Sequence, residues 1–190
     1  MSLPLVVGIS GASGAPYGVR LLQVLKELGV PVHLIISKSA GRTLTQECGR
    51  SLESVRALAA VNHSNSDLGA AVSSGSFRTR GMVIVPCSIR TLSDIAYGTT
   101  DSLLSRAADV TLKERRRLVL MVRETPLHQG HLRSMLAASE NGAIIMPPVP
   151  AFYSNPRTVA EIIDQTVGRC LDLLDIDSAR VKRWQPDSSQ

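Results

Sequence analysis

The chain has 190 residues, 44% of them hydrophobic and 19% charged, which fits one folded domain with a sizeable core and excludes a disordered, charge-dominated protein. Its 21 Lys plus Arg outnumber 16 Asp plus Glu, giving a net charge of +5 that suits an anionic partner. With 3% aromatics and basic residues scattered except at Lys113, Arg115, Arg116 and Arg117, neither a base-stacking platform nor a nucleic-acid stripe is expected.

Short apolar runs alternate with amphipathic stretches. The first strand, Leu5–Val7, leads into Gly8-Ile9-Ser10-Gly11-Ala12-Ser13-Gly14-Ala15-Pro16-Tyr17-Gly18 and a helix from Tyr17 to Leu28. Glycines between a strand and a helix let the backbone approach an anion at the helix's positive end, with Ser10 and Ser13 as hydroxyl donors. A turn without a ligand is the plain alternative. The spacing is neither G-x-G-x-x-G nor a P-loop. The second strand, Val32–Ile36, ends in Ser37-Lys38 where a dinucleotide enzyme places a carboxylate for the ribose, so a mononucleotide such as FMN fits better than NAD.

Asn62 to Arg80 reads as the longest loop, its Ser73-Ser74-Gly75-Ser76 offering a flexible polar edge. The strand Met82–Val85 then feeds Pro86-Cys87-Ser88-Ile89-Arg90-Thr91-Leu92-Ser93, a second strand-to-helix loop with hydroxyls at Ser88, Thr91 and Ser93. Ser88 alone is equally a helix cap, but two such loops in one sheet favour a shared pocket. Helices are expected over Leu92–Tyr97 and Leu103–Lys113. Arg106 and Lys113 share one face of the second, either to hold a phosphate or to face water. The strand Leu118–Val122 precedes Arg123-Glu124-Thr125-Pro126, where an adjacent Arg and Glu either bind an anion and handle a proton or form a surface ion pair. A helix over Leu132–Ala138 and a strand over Ala143–Met146 follow.

The last helix is read as capped by Asn155 with Pro156 at its first position, burying a stripe of Val159, Ile162, Ile163, Thr166, Cys170, Leu171 and Leu174 against the sheet or another subunit. The domain is placed at residues 1–177. A polar tail, residues 178–190, is expected to be loose unless a neighbour holds it. Strand–helix alternation of this kind predicts an α/β fold: a three-layer, doubly wound parallel sheet of Rossmann or flavodoxin type.

No metal site is expected, because His128 and His131 have no third ligand or H-E-x-x-H pattern. Cys87 lacks a His nearby in sequence, which disfavours a nucleophile. Cys48, Cys87 and Cys170 stand far apart without a C-x-x-C pair, and no apolar run approaches the roughly 20 residues of a membrane span. With no secretory signal at the N-terminus, the expected location is the cytoplasm.

Taken together, the stretches Gly11–Gly18, Ser74-Gly75-Ser76-Phe77, Pro86-Cys87-Ser88, Arg106–Val110, Leu112–Arg115, Arg123-Glu124 with Pro126, and Pro150–Tyr153 resemble the UbiX-like flavin prenyltransferases, in the branch that accompanies hydroxyarylic acid decarboxylases. The resemblance implies a homo-oligomer, commonly a dodecamer, that joins the dimethylallyl group of dimethylallyl phosphate to N5 and then C6 of reduced FMN without a metal. The prenylated FMN passes to a UbiD-like decarboxylase. It further implies that FMN contacts Gly11, Ala12, Ser13, Ser37, the loop Ser88, Ile89, Arg90 and Thr91, and Arg123. Dimethylallyl phosphate would be held by Arg106, Lys113, Tyr153 and Arg169. Glu47 and Glu124 match acids assigned to proton handling and phosphate departure, and Ser13 joins Lys113 and Arg106 in the catalytic set. Leu68 stands where some relatives carry a Trp facing the allyl cation, a contribution of about 0.5–2 kcal/mol. His131-Leu132-Arg133-Ser134-Met135 replaces the usual acid-bearing run. A non-catalytic FMN carrier of a hydroxyarylic acid decarboxylase system is the competing reading, and an FMN-dependent cysteine decarboxylase, whose catalytic His is not evident, a third.

Overall fold

The computed structural model describes residues 3–184. Strands β1 (Leu5–Ile9), β2 (Val32–Ile36), β3 (Val61–His63), β4 (Gly81–Cys87), β5 (Arg117–Val122) and β6 (Ala143–Ile145) form one sheet in the order β3-β2-β1-β4-β5-β6. All neighbours run parallel. Each run expected as a strand is one. β3 is the addition: three residues at a sheet edge, with Val61 and Asn62 exposed, are too few to show a period.

Helices α1 (Ala15–Glu27), α2 (Ala40–Cys48), α3 (Leu52–Arg56), α4 (Ile89–Ala96), α5 (Leu103–Lys113), α6 (Gln129–Glu140) and α7 (Val159–Asp172) cover the sheet. Successive strand residues point to opposite faces. Leu5, Val7, Ile9, Val83 and Val119 pack under Leu21, Leu22 and Leu25 of α1 and Val167, Cys170 and Leu171 of α7. Val6, Met82, Ile84, Leu118 and Leu120 pack under Leu92 of α4, Leu103 and Ala107 of α5, and Ala138 of α6. This is the doubly wound, three-layer arrangement expected. Helices α2 and α3 escaped the sequence reading because they bury little: only Ala40 and Leu44 in α2, and Val55 in α3.

The last helix begins later than expected. Its N-cap is Thr158, whose hydroxyl accepts from Glu161 N, while Asn155 adopts a left-handed conformation after a short turn at Phe152–Ser154. Of the expected stripe, Thr166, Cys170, Leu171 and Leu174 are buried, but Val159 is 72% exposed. The first residues of α7, Val159 to Glu161, are exposed. Residues 178–184 of the tail lie against this helix. Gln165 and Lys182 exchange two hydrogen bonds of 2.8 and 3.1 Å, Arg180 pairs with Glu27, and Trp184 meets Tyr153 edge-on at 5.8 Å. The neighbour holding this part of the tail is its own chain. The remainder, including Pro186 to Gln190, lies outside the described residues.

One pH response is built into the sheet edge. His33 Nδ1 and His63 Nε2 are 3.0 Å apart, and the His33 ring is 5.1 Å from Phe77. Burial holds both imidazoles below the usual 6.5, reinforced at His33 by the charge of His63 and opposed at His63 by Asp67. Because the folded values are depressed, this stabilisation is complete above pH 6.5 and is lost as pH falls through the folded values. Urea unfolding between about pH 5 and 8, the window of an imidazole, should show stability falling on the acid side, with a shallower fall in His63→Gln.

Candidate functional site

The strand order reverses direction between β1 and β4, the place where open α/β sheets bind ligands beyond the strands' carboxyl ends. Two loops meet there. Ser10, 1% exposed, joins them: its hydroxyl donates to Pro86 O at 2.8 Å and accepts from Ser88 N at 2.7 Å. Ser10 is therefore a brace between β1 and β4, not the free ligand donor expected. Ser88 caps α4 by accepting from Thr91 N at 3.3 Å, and its hydroxyl also donates to Thr91 Oγ1 at 3.1 Å. Capping and pocket lining coincide in this residue.

A cavity of about 580 Å³ opens at this rim, and Gly11, Ser37, Ser88, Arg90 and Thr91 line it as expected. Gly11 needs its missing side chain, since a Cβ there would stand 2.2 Å from Ser39 Oγ. Ser39, Arg42, Asn65, Asp94 and Asp101 also line the cavity and were not singled out from the sequence, and Lys38, another lining residue, was read only as standing in place of a ribose-binding carboxylate. Lys38 and Ser39 were legible, since they directly follow β2. Arg42 sits in a helix that had not been recognised, and the others carry no local signal. Ala12, Ser13 and Arg123 stand on the adjoining loops, and Ile89 at the first position of α4, rather than in the cavity wall. Hydroxyls together with Lys38, Arg42 and Arg90 make this wall suited to a phosphate-bearing mononucleotide.

Beside the cleft, the structure brings together residues distant in sequence. Glu47 Oε2, at the end of α2, accepts from Gly14 N and Ala15 N, both at 2.8 Å. The carboxylate thus caps the positive end of α1. Partial desolvation pushes the Glu47 carboxyl up. Hydrogen bonds from the Ser13 side chain and from the Gly14 and Ala15 backbone, with the charge of Arg123, outweigh it and hold the group below the usual 4.5. Glu47 is a carboxylate at neutral pH. Arg123 N donates to Cys87 O at 3.1 Å, tying its loop to the end of β4. Glu124 is exposed and, among the described residues, accepts only from its neighbour Thr125 N, at 3.1 Å. Among the described residues Arg123 and Glu124 form no ion pair with each other.

The four residues assigned to the donor phosphate do not converge in one chain. Arg106 and Lys113 belong to α5 on one face of the sheet, pairing with Asp109 at 2.7 Å and Glu114 at 2.5 Å. Arg169 belongs to α7 on the other face, 2.7 Å from Asp172, and Gln165 Nε2 of the same helix donates to Tyr153 Oη at 3.4 Å. A complete layer of strands separates the two pairs.

The remaining candidates have structural roles. Cys87 is fully buried, and burial pushes its thiol far up, which removes its nucleophilicity. His128 caps α6 by accepting from Gly130 N at 3.0 Å, and its ring lies 3.6 Å from that of His131. Among the described residues no group of three or more His, Cys, Asp or Glu is placed to hold a metal, and no helix is long and apolar enough to cross a membrane.

These features define a flavoprotein-type α/β domain, and the Flavoprotein family profile matches residues 2–183. Flavin prenyltransferase UbiX of Escherichia coli K12 is 58% identical over 184 residues, 95% of this chain and 97% of that protein. UbiX of Thauera aromatica is 53% identical over 180 residues, covering 95% and 93%. A crystal structure of AnUbiX (PadA1) with FMN and dimethylallyl pyrophosphate superposes with TM-score 0.96 at 49% identity, covering 98% of this chain and 99% of that one. A dodecameric FMN-dependent UbiX-like decarboxylase from E. coli O157:H7 gives 0.94 at 48% identity, covering 97% and 100%. The chain belongs to the UbiX-like flavin prenyltransferases.

Proposed function

We propose that this protein transfers the dimethylallyl group of dimethylallyl phosphate to reduced FMN, at N5 and then C6, and that the prenylated flavin serves a UbiD-like decarboxylase in the cytoplasm. The observation that carries this reading is the cleft of about 580 Å³ beyond the carboxyl ends of β1 and β4, lined by Gly11, Ser37, Ser88, Arg90 and Thr91, with the Glu47 carboxylate held close by at the start of α1. In it, Gly11, Ala12, Ser13, Ser37, Ser88, Ile89, Arg90, Thr91 and Arg123 contact FMN, with Lys38 and Arg42 adding positive charge along the wall. Reduced FMN, when bound, supplies the electron-rich ring that accepts the allyl group.

The chain's own residues supply the rest. Arg106, Lys113, Tyr153 and Arg169 hold the donor phosphate and stabilise the charge that builds as the allylic carbon–oxygen bond breaks and its electron pair leaves with the phosphate. Glu47, held ionised, accepts the proton displaced from the flavin ring, whereas an ionised group has none to give. Glu124, on the exposed loop after β5, takes the second acidic role that the family pattern implies, at the departure of the phosphate. Because the clamp is divided between the two faces of the sheet, the working site draws on neighbouring copies, and a dodecamer like that of the E. coli O157:H7 relative supplies them. Enclosure between copies keeps water from the developing cation.

Anaerobic incubation of the protein with reduced FMN and dimethylallyl phosphate is expected to give a flavin heavier by one prenyl unit in mass spectrometry. Unmodified FMN bound to folded protein, with the donor intact, would overturn the enzyme reading in favour of a flavin carrier.

A further inference from the structure

We propose that Gly75, Glu114 and Arg116 form a positioning block that fixes where Lys113 presents its ammonium to the donor phosphate. This rests on the reading of Lys113 as a phosphate ligand and adds residues to which that reading gives no role. Lys113 ends α5, and its flexible four-carbon stem would otherwise sweep a wide volume. Three observations restrict it. Lys113 Nζ lies 2.5 Å from Glu114 Oε1. The loop carrying Gly75 crosses over this pair so closely that a Cβ at Gly75 would stand 2.1 Å from Glu114 Oε1 and 2.6 Å from Lys113 Nζ. Arg116 fastens that loop, donating to Gly75 O at 2.7 Å, Phe77 O at 2.8 Å and Thr79 Oγ1 at 3.4 Å, and approaches Glu114 Oε2 at 4.0 Å.

The arrangement is poorly suited to stabilising the fold. Lys113 and Glu114 are 46% and 34% exposed, and exposed pairs add little to stability. It is well suited to holding a cation in place, because a ligand group fixed beforehand loses less freedom on binding. The contacts at Gly75 fall on the ends of two side chains and not on backbone. Gly75→Ala is therefore accommodated by swinging the Lys113–Glu114 pair aside, which moves the ammonium and leaves the fold intact.

The test compares Gly75→Ala, Glu114→Gln and Lys113→Ala in the full-length assembly loaded with reduced FMN. It measures KM and kcat for dimethylallyl phosphate, Kd for inorganic phosphate by calorimetry, Kd for FMN, and Tm. Gly75→Ala and Glu114→Gln are expected to raise KM and the phosphate Kd about tenfold, with FMN affinity and Tm unchanged. The sign is diagnostic. A Glu114 acting only as a negative charge near an anion site would repel phosphate, so Glu114→Gln would then tighten binding. A fall or no change in both constants for these two variants, with Lys113→Ala still raising them, overturns the positioning role and leaves Lys113 as a ligand. If Lys113→Ala leaves both constants unchanged, Lys113 itself is not a phosphate ligand, and the positioning role falls with it.

Discussion

Arg106→Ala and Arg169→Ala chains, each strongly impaired alone, are expected to regain prenyl transfer when co-expressed, reaching about a quarter of the wild-type rate per site for random mixing in a closed assembly. Each single variant removes one cation from the leaving phosphate, a loss of about 10²–10³ in kcat where such groups stabilise developing charge. The recovery follows from the fold. Arg106 projects from α5, anchored by Leu103, Ala107 and Ala108 in one core; Arg169 projects from α7, anchored by Val167, Cys170 and Leu171 in the other. The sheet lies between the two helices that carry these cations, which is why the site is read as built from two chains. A mixed assembly contains sites whose α5 comes from the Arg169→Ala chain and whose α7 comes from the Arg106→Ala chain. Those sites have the whole clamp. The measurement is adduct formation by tagged, co-purified assemblies beside each homogeneous variant. A mixed assembly no more active than its parents would place the four residues in one chain's site and remove the shared-site reading.

The same division explains what the sequence made legible. Strand β4 was readable because a buried parallel strand is a continuous apolar run, and α5 because its apolar residues recur at helical spacing. The cleft was readable in outline, since Gly11, Ser37 and Ser88 each follow the end of a strand, where ligands of such sheets bind. Arg42 was not, because α2 packs through so few apolar residues that no period emerges. Ser10 was misread for a related reason: a hydroxyl in a glycine-rich loop has the same local pattern whether it faces a ligand or braces a strand 76 residues away. The N-cap of α7 was misplaced because Asn155-Pro156 looks like a helix start, whereas the left-handed Asn155 closes a separate turn and Thr158 performs the capping. The proximity of Ser13 and Arg123 to Glu47 depends on two loops and the end of α2 folding together, and no local spacing encodes that.

Glu47→Gln is expected to fold, bind FMN and lose about 10²–10⁴ in the rate of prenyl transfer at neutral pH, the usual worth of a positioned acid or base. The amide oxygen of glutamine still accepts from Gly14 N or Ala15 N, so the cap on α1 is weakened, not lost. Glu47→Ala removes the cap altogether and should cost about 1 kcal/mol of stability in addition. The two variants therefore separate chemistry from scaffolding: similar rates, different unfolding midpoints. The pH dependence has a defined sign. Because the folded Glu47 carboxyl is held below the usual 4.5, its stabilisation of the fold is fully present above 4.5 and is lost as pH falls through the folded value. Any activity that needs its carboxylate follows the same course, so the acid limb that Glu47 contributes to the rate lies below 4.5, and wild type loses α1 capping and rate together there. A Glu47→Gln protein that turns over like wild type at neutral pH would remove Glu47 from proton transfer and leave it as the cap of α1 alone. An acid limb for this group well above 4.5 would contradict the electrostatics that Ser13, the α1 backbone and Arg123 impose on it.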